Sequence, residues 1–462
     1  MSIVKNKKRK STGRKAAINV RMGKIALSVG NPSLITSPGW MWVSLLDVAE
    51  LATGHTPSRR HPEYWNGDIP WINASDARVS DGGIITKTKE TINKLGLENS
   101  AAELLPKNTV CLSRSGSIGY VVILGKPMTT NQGFVNYICN EHLIPKYLQQ
   151  LFIFERSSII SFGEGIAHKT VYFPEAKGFH ILLPPRNEQK RIVSKIEELF
   201  SKIDSARQSL EQTKLQLELY RQSFFKSLFN KTTNFVTLEE CAKIGSGGTP
   251  SRQKPEYYGG NISWVKTTEV QNSYIQSTSE KITELGLKNS SAKIYPKSSV
   301  IVAMYGEGKT RGKCAILNIN ASTNQACAVI TCDNKKLLYK FCFYWFQSQY
   351  DQMRLKSSGG NQPNLNLGII KKTKIPLPAL EEQEQIVSQI EQGFSLIENT
   401  SQIVESSLQN LQTMKMSVLK QAFEGKLVPQ DPNDEPASVL LEKIKSTKES
   451  QNTKQRRMKN VK

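Results

Sequence analysis

The chain has 462 residues and 51.8 kDa, more than one ordinary domain of roughly 100 to 200 residues, so two or more cores are expected. With 38% hydrophobic, 8% aromatic and 22% charged residues, a chain disordered throughout is excluded. The formal charge of +22 points to a polyanionic partner, but residues 1–24 (nine basic, no acidic) and 442–462 (eight basic, two acidic) carry +15 of it, so any specific site must be sought in motifs of the body.

Residues 1–37 read as a basic disordered arm. The short IALSVG stretch at 25–30 is broken by Asn31 and Pro32, and no run approaches the ~18 apolar residues of a membrane span, so neither a secretory signal nor a membrane partner is expected. The seven cysteines stand singly, the closest pair being Cys327 and Cys332, which fits a reducing, cytoplasmic setting and no zinc ribbon.

From residue 38 the chain repeats itself. Thr56-Pro57-Ser58-Arg59 followed by Pro62-Glu63-Tyr64-Trp65 reappears as Thr249-Pro250-Ser251-Arg252 followed by Pro255-Glu256-Tyr257-Tyr258. Gly67, Ile69 and Trp71 recur as Gly260, Ile262 and Trp264, Leu95-Gly96-Leu97 as Leu285-Gly286-Leu287, and Asn131-Gln132 as Asn324-Gln325. Aromatic and β-branched runs punctuated by Gly, Pro and Asn predict a strand-rich mixed domain over 38–185 and another over 231–378. Trp71 and Trp264, within such runs, are expected in the core.

Each domain is followed by a segment of another kind. Residues 186–230 predict one long helix, free of Gly and Pro from Asn187 to about Phe229, with Ile192, Ile196, Ile203, Leu210, Leu217 and Phe224 on a coiled-coil seam. Residues 379–427 predict a second, with Ile390, Ile397, Val404, Leu411 and Val418 in the same register and a poorer companion row of Ile386, Gly393, Thr400, Ser407 and Met414. At ~1.5 Å per residue each helix reaches ~64 Å, which favours a paired stalk over an ordinary surface helix. Antiparallel pairing would relate the domains by an internal pseudo-two-fold axis, suiting a ligand with two separated, oppositely oriented half-sites such as duplex DNA. The expected class is α+β: two strand-rich domains joined by two long antiparallel coiled-coil helices, with a basic tail over 428–462.

The candidate binding residues lie in loops. The first set is Thr56, Ser58 and Arg59 with Thr249, Ser251 and Arg252. Two readings stand for it: contacts to a nucleic-acid backbone, or hydroxyls closing a turn beside ordinary surface arginines. The second is Ser113, Arg114, Ser115 and Ser117 in the run to Gly119, with Tyr305, Lys309 and Arg311 in the divergent counterpart; glycine, hydroxyls and cations there can approach phosphates or base edges. The third is Lys169, closing the Gly163–Lys169 loop, with Asn361 and Gln362 in the aligned stretch of the second copy, which can pair with adenine or serve their own turn. Two readers of different half-sites should share framework residues and differ in loops, as these copies do.

No enzyme signature accompanies them. Tyr305 to Thr310 resembles the end of a phosphate loop, but its first glycine would fall at Ala303; the five histidines lack metal-ligand spacing, and carboxylate pairs such as Glu197-Glu198 suit solvated helix faces. Neither catalytic nor metal residues are expected.

Taken together, Pro38-Gly39-Trp40 with Trp42-Val43, the TPS turn with Tyr64-Trp65 and Ile69-Pro70-Trp71, Arg114-x-Gly116-x-Ile118-Gly119, Asn131-Gln132, and Leu183-Pro184-Pro185 leading through Glu188-Gln189 resemble the specificity subunit of type I restriction-modification systems. So do Ile375-Pro376-Leu377-Pro378 with Glu382-Gln383 and the ending Leu419 to Val428. The resemblance implies two target recognition domains reading a bipartite DNA sequence, with helices that set the gap and dock two modification (methyltransferase) subunits. It further implies restriction (motor-nuclease) subunits, with S-adenosylmethionine, ATP and Mg on those partners and no cofactor here. The rival reading is a nonspecific coiled-coil adaptor with basic nucleic-acid-binding tails.

Overall fold

The computed structural model describes residues 26–163, 169–229, 234–306, 309–356, 364–439, 441–443 and 446, the side chains of 226 and 356 excepted. The chain divides into two units: Met1–Arg207 with Gln409–Lys462, and Gln208–Leu408.

The strands of the first unit are β1 (Leu27–Val29), β2 (Met41–Ser44), β3 (Ala49–Thr53), β4 (Trp65–Ile72), β5 (Ile84–Ile85), β6 (Glu90–Ile92), β7 (Val110–Ser113), β8 (Val121–Leu124), β9 (Thr129–Thr130), β10 (Phe134–Cys139) and β11 (Phe179–Leu183). They form a five-stranded sheet ordered β3-β10-β7-β8-β5 and three-stranded sheets β6-β4-β9 and β1-β11-β2. β7 and β8 lie at the centre and are buried along their whole length, because successive side chains feed two different cores. Val110, Leu112, Val121 and Ile123 face the core that includes Tyr147, Leu148, Leu151 and Phe152 of helix Pro145–Phe154; Cys111, Val122 and Leu124 face Ile72, Ile85 and Phe134.

The second unit repeats this with β12 (Phe235–Thr237), β13 (Ala242–Ser246), β14 (Tyr258–Val265), β15 (Tyr274–Ile275), β16 (Glu280–Ile282), β17 (Val300–Ala303), β18 (Cys314–Leu317), β19 (Ser322–Thr323), β20 (Cys327–Cys332) and β21 (Lys374–Pro376). Its sheets are β13-β20-β17-β18-β15, β16-β14-β19 and β12-β21. The shared irregularities are as telling as the shared strands. β4 bulges between Trp65 and Ile69, and β14 between Tyr258 and Ile262. At Gly67 a Cβ would come within 2.4 Å of Asn93, and at Gly260 within 2.6 Å of the Ile282 carbonyl, so glycine is required in both copies.

The long helices are Arg186–Phe229 and Leu380–Phe423, each of 44 residues; residue 230 of the first expected helix lies outside the described residues, and the second ends four residues early. They pair antiparallel. In the second unit Lys214 meets Glu405 at 2.7 Å and Phe225 meets Phe394 with ring centroids 4.5 Å apart; in the first, Lys415 meets Asp204 at 2.5 Å. Ile192, Ile196, Ile203, Ile390, Ile397 and Val404 are buried, while Leu210, Leu217, Phe224, Leu411 and Val418 are half-buried. Gly393, the weak point of the companion row, is where the Phe224 ring seats: a Cβ there would lie 2.5 Å from it.

Each helix ends in the core of the repeat that it does not follow in sequence. Phe423 packs against Tyr147 and Phe154 of the first unit at 5.4 and 5.5 Å, and Phe229 packs against Phe341 of the second at 5.3 Å.

Both termini need correction within the described residues. Residues 26–37 are not part of a disordered arm: β1 pairs in parallel with β11, and Val29 is buried in the main core. Among the described residues the second repeat lacks this third strand: the segment that matches β1 lies within the long helix Arg186–Phe229, and Pro376, at the position matching Leu182, has no N–H to offer one. The basic tail expected from 428 packs onto the first unit over residues 428–439 and 441–443, where Ala437 and Leu441 are buried and Asp434 pairs with Arg191 at 2.7 Å. Apart from Ser446, the rest of both basic segments lies outside the described residues.

Candidate nucleic-acid interface

The Thr-Pro-Ser-Arg turn follows β3 in the first unit and β13 in the second, and in each its arginine is caged. The Arg59 guanidinium lies 3.7 Å from the Trp65 ring centroid and forks onto both Glu90 oxygens at 2.5 and 2.9 Å. Arg252 lies 4.3 Å from Tyr258 and bonds Glu280 at 2.8 Å, with Lys266 on the other oxygen of that carboxylate at 3.3 Å. The hydrogen bond from Arg59 holds the Glu90 carboxyl below the usual range, and the bonds from Arg252 and Lys266 do the same for Glu280. Both arginines are exposed and brace the turn through these bonds; Glu90 matches the charge of Arg59, whereas Arg252 and Lys266 share the one charge of Glu280 and leave a positive charge over.

Below them sit the tryptophans, buried as expected. Trp71 donates its indole N–H to the His55 carbonyl at 2.9 Å, and Trp264 donates to that of Gly248 at 3.0 Å. Ser58 accepts the Arg60 N–H at 3.3 Å, closing its own turn, and Ser251 is exposed. Thr56 donates to the side-chain carbonyl of Gln132 at 2.5 Å, and Thr249 donates to that of Gln325. These glutamines were legible only as part of a repeated Asn-Gln pair. Their partnership with a threonine 76 positions away is invisible to local patterning.

In the second loop set, Ser113 is 1% exposed, donates to the Ser117 carbonyl at 2.6 Å and accepts the Tyr120 N–H at 2.8 Å. It shapes the loop and is unavailable to a ligand, which corrects the expectation for this residue. Ser115 bonds the Thr170 hydroxyl at 3.0 Å, which ties this loop to the residue after exposed Lys169; Ser117 is exposed and Arg114 half-buried. Arg114 lies 5.2 Å from the Phe173 ring and donates to the Val171 carbonyl at 3.4 Å; burial lowers its proton affinity. In the second unit Tyr305 and Lys309 are exposed, and the loop is braced by Tyr350 donating to the Lys309 carbonyl at 2.8 Å and Arg354 donating to that of Arg311 at 3.3 Å. Asn361 and Gln362, and residues 164–168 before Lys169, lie outside the described residues.

Two copies of one frame, each presenting a braced turn and a divergent loop, define a repeated recognition module. The chain belongs to the family of the type I restriction modification DNA specificity domain, which matches it twice, over residues 38–215 and 230–406. It is similar to the type I restriction enzyme MjaIX specificity subunit of Methanocaldococcus jannaschii, 26% identical over 390 residues, 79% of this chain and 89% of that one. It is also similar to the StySPI specificity subunit of Salmonella potsdam, 23% identical over 445 residues, 88% and 95% of the two chains. The HsdS subunit from Thermoanaerobacter tengcongensis shares the fold, with a TM-score of 0.61, 19% identity and coverage of 85% of this chain and 98% of that one.

Proposed function

We infer that this chain is the DNA-reading subunit of a type I restriction-modification complex, each strand-rich domain recognising one half of a bipartite target. The observation that carries this is the double family match, which falls on two domains with a common frame and different loops. The long helices set the gap between half-sites and dock two methyltransferase subunits. Leu215, Leu219, Leu396 and Ile403, 64 to 68% exposed on the helices, supply apolar surface for a partner to cover. Base methylation, and cleavage by motor-nuclease subunits, are performed by those partners in the cytoplasm with their own S-adenosylmethionine, ATP and Mg. Among the described residues no helix is long and apolar enough to cross a membrane.

The nonspecific adaptor is disfavoured by a DNA specificity match that spans both repeats. The test is selection of duplexes from a randomised pool by the chain assembled with its methyltransferase subunits. Enrichment of one bipartite sequence is the expected result, and equal retention of scrambled duplexes would contradict it.

A further inference from the structure

The two domains differ in their divergent loops, yet beside the caged arginines a second exposed polar arrangement is the same in both. Thr56 donates its hydroxyl to the Gln132 carbonyl oxygen, and Thr249 does so to Gln325. Each glutamine follows an asparagine pinned to the sheet: Asn131 donates its N–H to Ile72 and Asn324 donates to Val265, both at 2.9 Å. Each sits at the tip of a tight turn, closed by Phe134 N–H to the Asn131 carbonyl at 3.3 Å and by Cys327 N–H to that of Asn324 at 3.2 Å. Both glutamine side chains are exposed.

The threonine bond has a chemical consequence. An amide offers a carbonyl acceptor and two N–H donors. With the carbonyl already accepting, the amide is held in one orientation and its unused groups are chiefly donors. Adenine is read by a glutamine through acceptor and donor together, whereas a phosphate oxygen needs donors alone. A feature identical in both domains also has no means of telling unlike half-sites apart; it suits what every stretch of duplex shares.

We propose that Gln132 and Gln325 are matched, sequence-independent donors to the DNA sugar-phosphate backbone, each preset by its threonine to fix the register in which the neighbouring loops meet bases. This rests on the DNA-reading function inferred above and adds a role for residues that function does not assign. The pair acts on affinity equally in the two half-sites, while discrimination belongs to the divergent loops.

The experiment uses the full chain assembled with its methyltransferase subunits, bound to the selected bipartite duplex and to duplexes altered in one half-site. Gln132→Ala and Gln325→Ala should each weaken binding by about tenfold, the loss of a donor to a charged acceptor. The ratio between cognate and altered duplexes should stay unchanged, and so should the salt dependence, since no cation is removed. Gln132→Glu, which keeps the size and shape of the side chain, should weaken binding more by placing a carboxylate against phosphate, and Thr56→Val should weaken it less than the alanine variant. Unchanged binding by Gln132→Ala and Gln132→Glu would reduce the pair to a brace between turns and overturn the proposal. Relaxed discrimination at one base pair would overturn it too, by making the glutamine a base reader. A wild-type complex without preference for a bipartite duplex would instead sink the DNA-reading function itself, and that arm is read before any variant.

Discussion

Gln189 holds the backbone of Ile144. Its side-chain carbonyl accepts the Ile144 N–H at 2.9 Å, while its amide donates to the carbonyls of His142 and Pro184 at 3.0 and 3.1 Å. Gln383 repeats all three bonds, with Leu338 N–H at 2.9 Å and the carbonyls of Lys336 and Pro378 at 2.8 and 2.9 Å. Both side chains are completely buried at the first turn of a long helix, so each fastens that helix to the domain preceding it. Gln189→Leu fills the same space but strands a buried N–H and two carbonyls. It should destabilise the chain by about 1 to 3 kcal/mol in denaturant unfolding, and Gln383→Leu by a similar amount.

The caged arginines make acid sensitivity predictable. Glu90 and Glu280 have folded-state affinities for protons depressed by Arg59 and by Arg252 with Lys266. Their contribution is therefore present above the unfolded carboxylate range and is lost as pH falls through the depressed folded values. These pairs are well exposed, so each contributes less than about 1 kcal/mol. The melting temperature of an Arg59→Ala, Arg252→Ala double variant should lie below wild type at pH 7, and the difference should shrink on acidification below pH 4. A gap that widens in acid would contradict the assignment.

At Gly393 the usual rule for helices is reversed. Replacing an exposed helical glycine with a better helix former gains up to about 1 kcal/mol, but the ring of Phe224 occupies the space a side chain would need. Gly393→Leu should cost about 1 to 3 kcal/mol by overpacking, and adding Phe224→Ala should recover most of that loss. Thermal unfolding of the two single variants and the double variant measures it.

This glycine also shows where sequence reading stopped. Long-range self-similarity and a sustained apolar period exposed both domains and both helices, because those signals extend over tens of residues. Gly393 broke the period and read as a weakness, since a hole is recognisable only beside the ring that fills it. β1 is three residues long, too short for periodicity, and its pairing partner β11 lies about 150 positions away. In the candidate interface, residue types suggested Arg59 and Arg252 as free cations, but the carboxylates that claim them stand 31 and 28 positions further on. Ser113 looked like an exposed loop hydroxyl and is in fact the last residue of β7, turned inward.

The exposed apolar residues of the helices provide a separable test of assembly. Leu219 and Ile403 are 65% and 64% exposed, so a charge there is solvated and folding should change by no more than about 0.5 kcal/mol. If methyltransferase subunits cover this surface, Leu219→Glu with Ile403→Glu should weaken co-purification of those subunits at least tenfold while the melting temperature of the isolated chain stays within a few degrees of wild type.

The most direct test exchanges residues 40–185 for the corresponding domain of another family member and maps methylated bases by long-read sequencing in cells carrying the methyltransferase subunits. One half of the methylated bipartite site should change to that of the donor while the other half is retained. A change in both halves at once, or in neither, would contradict the assignment of one half-site to each domain.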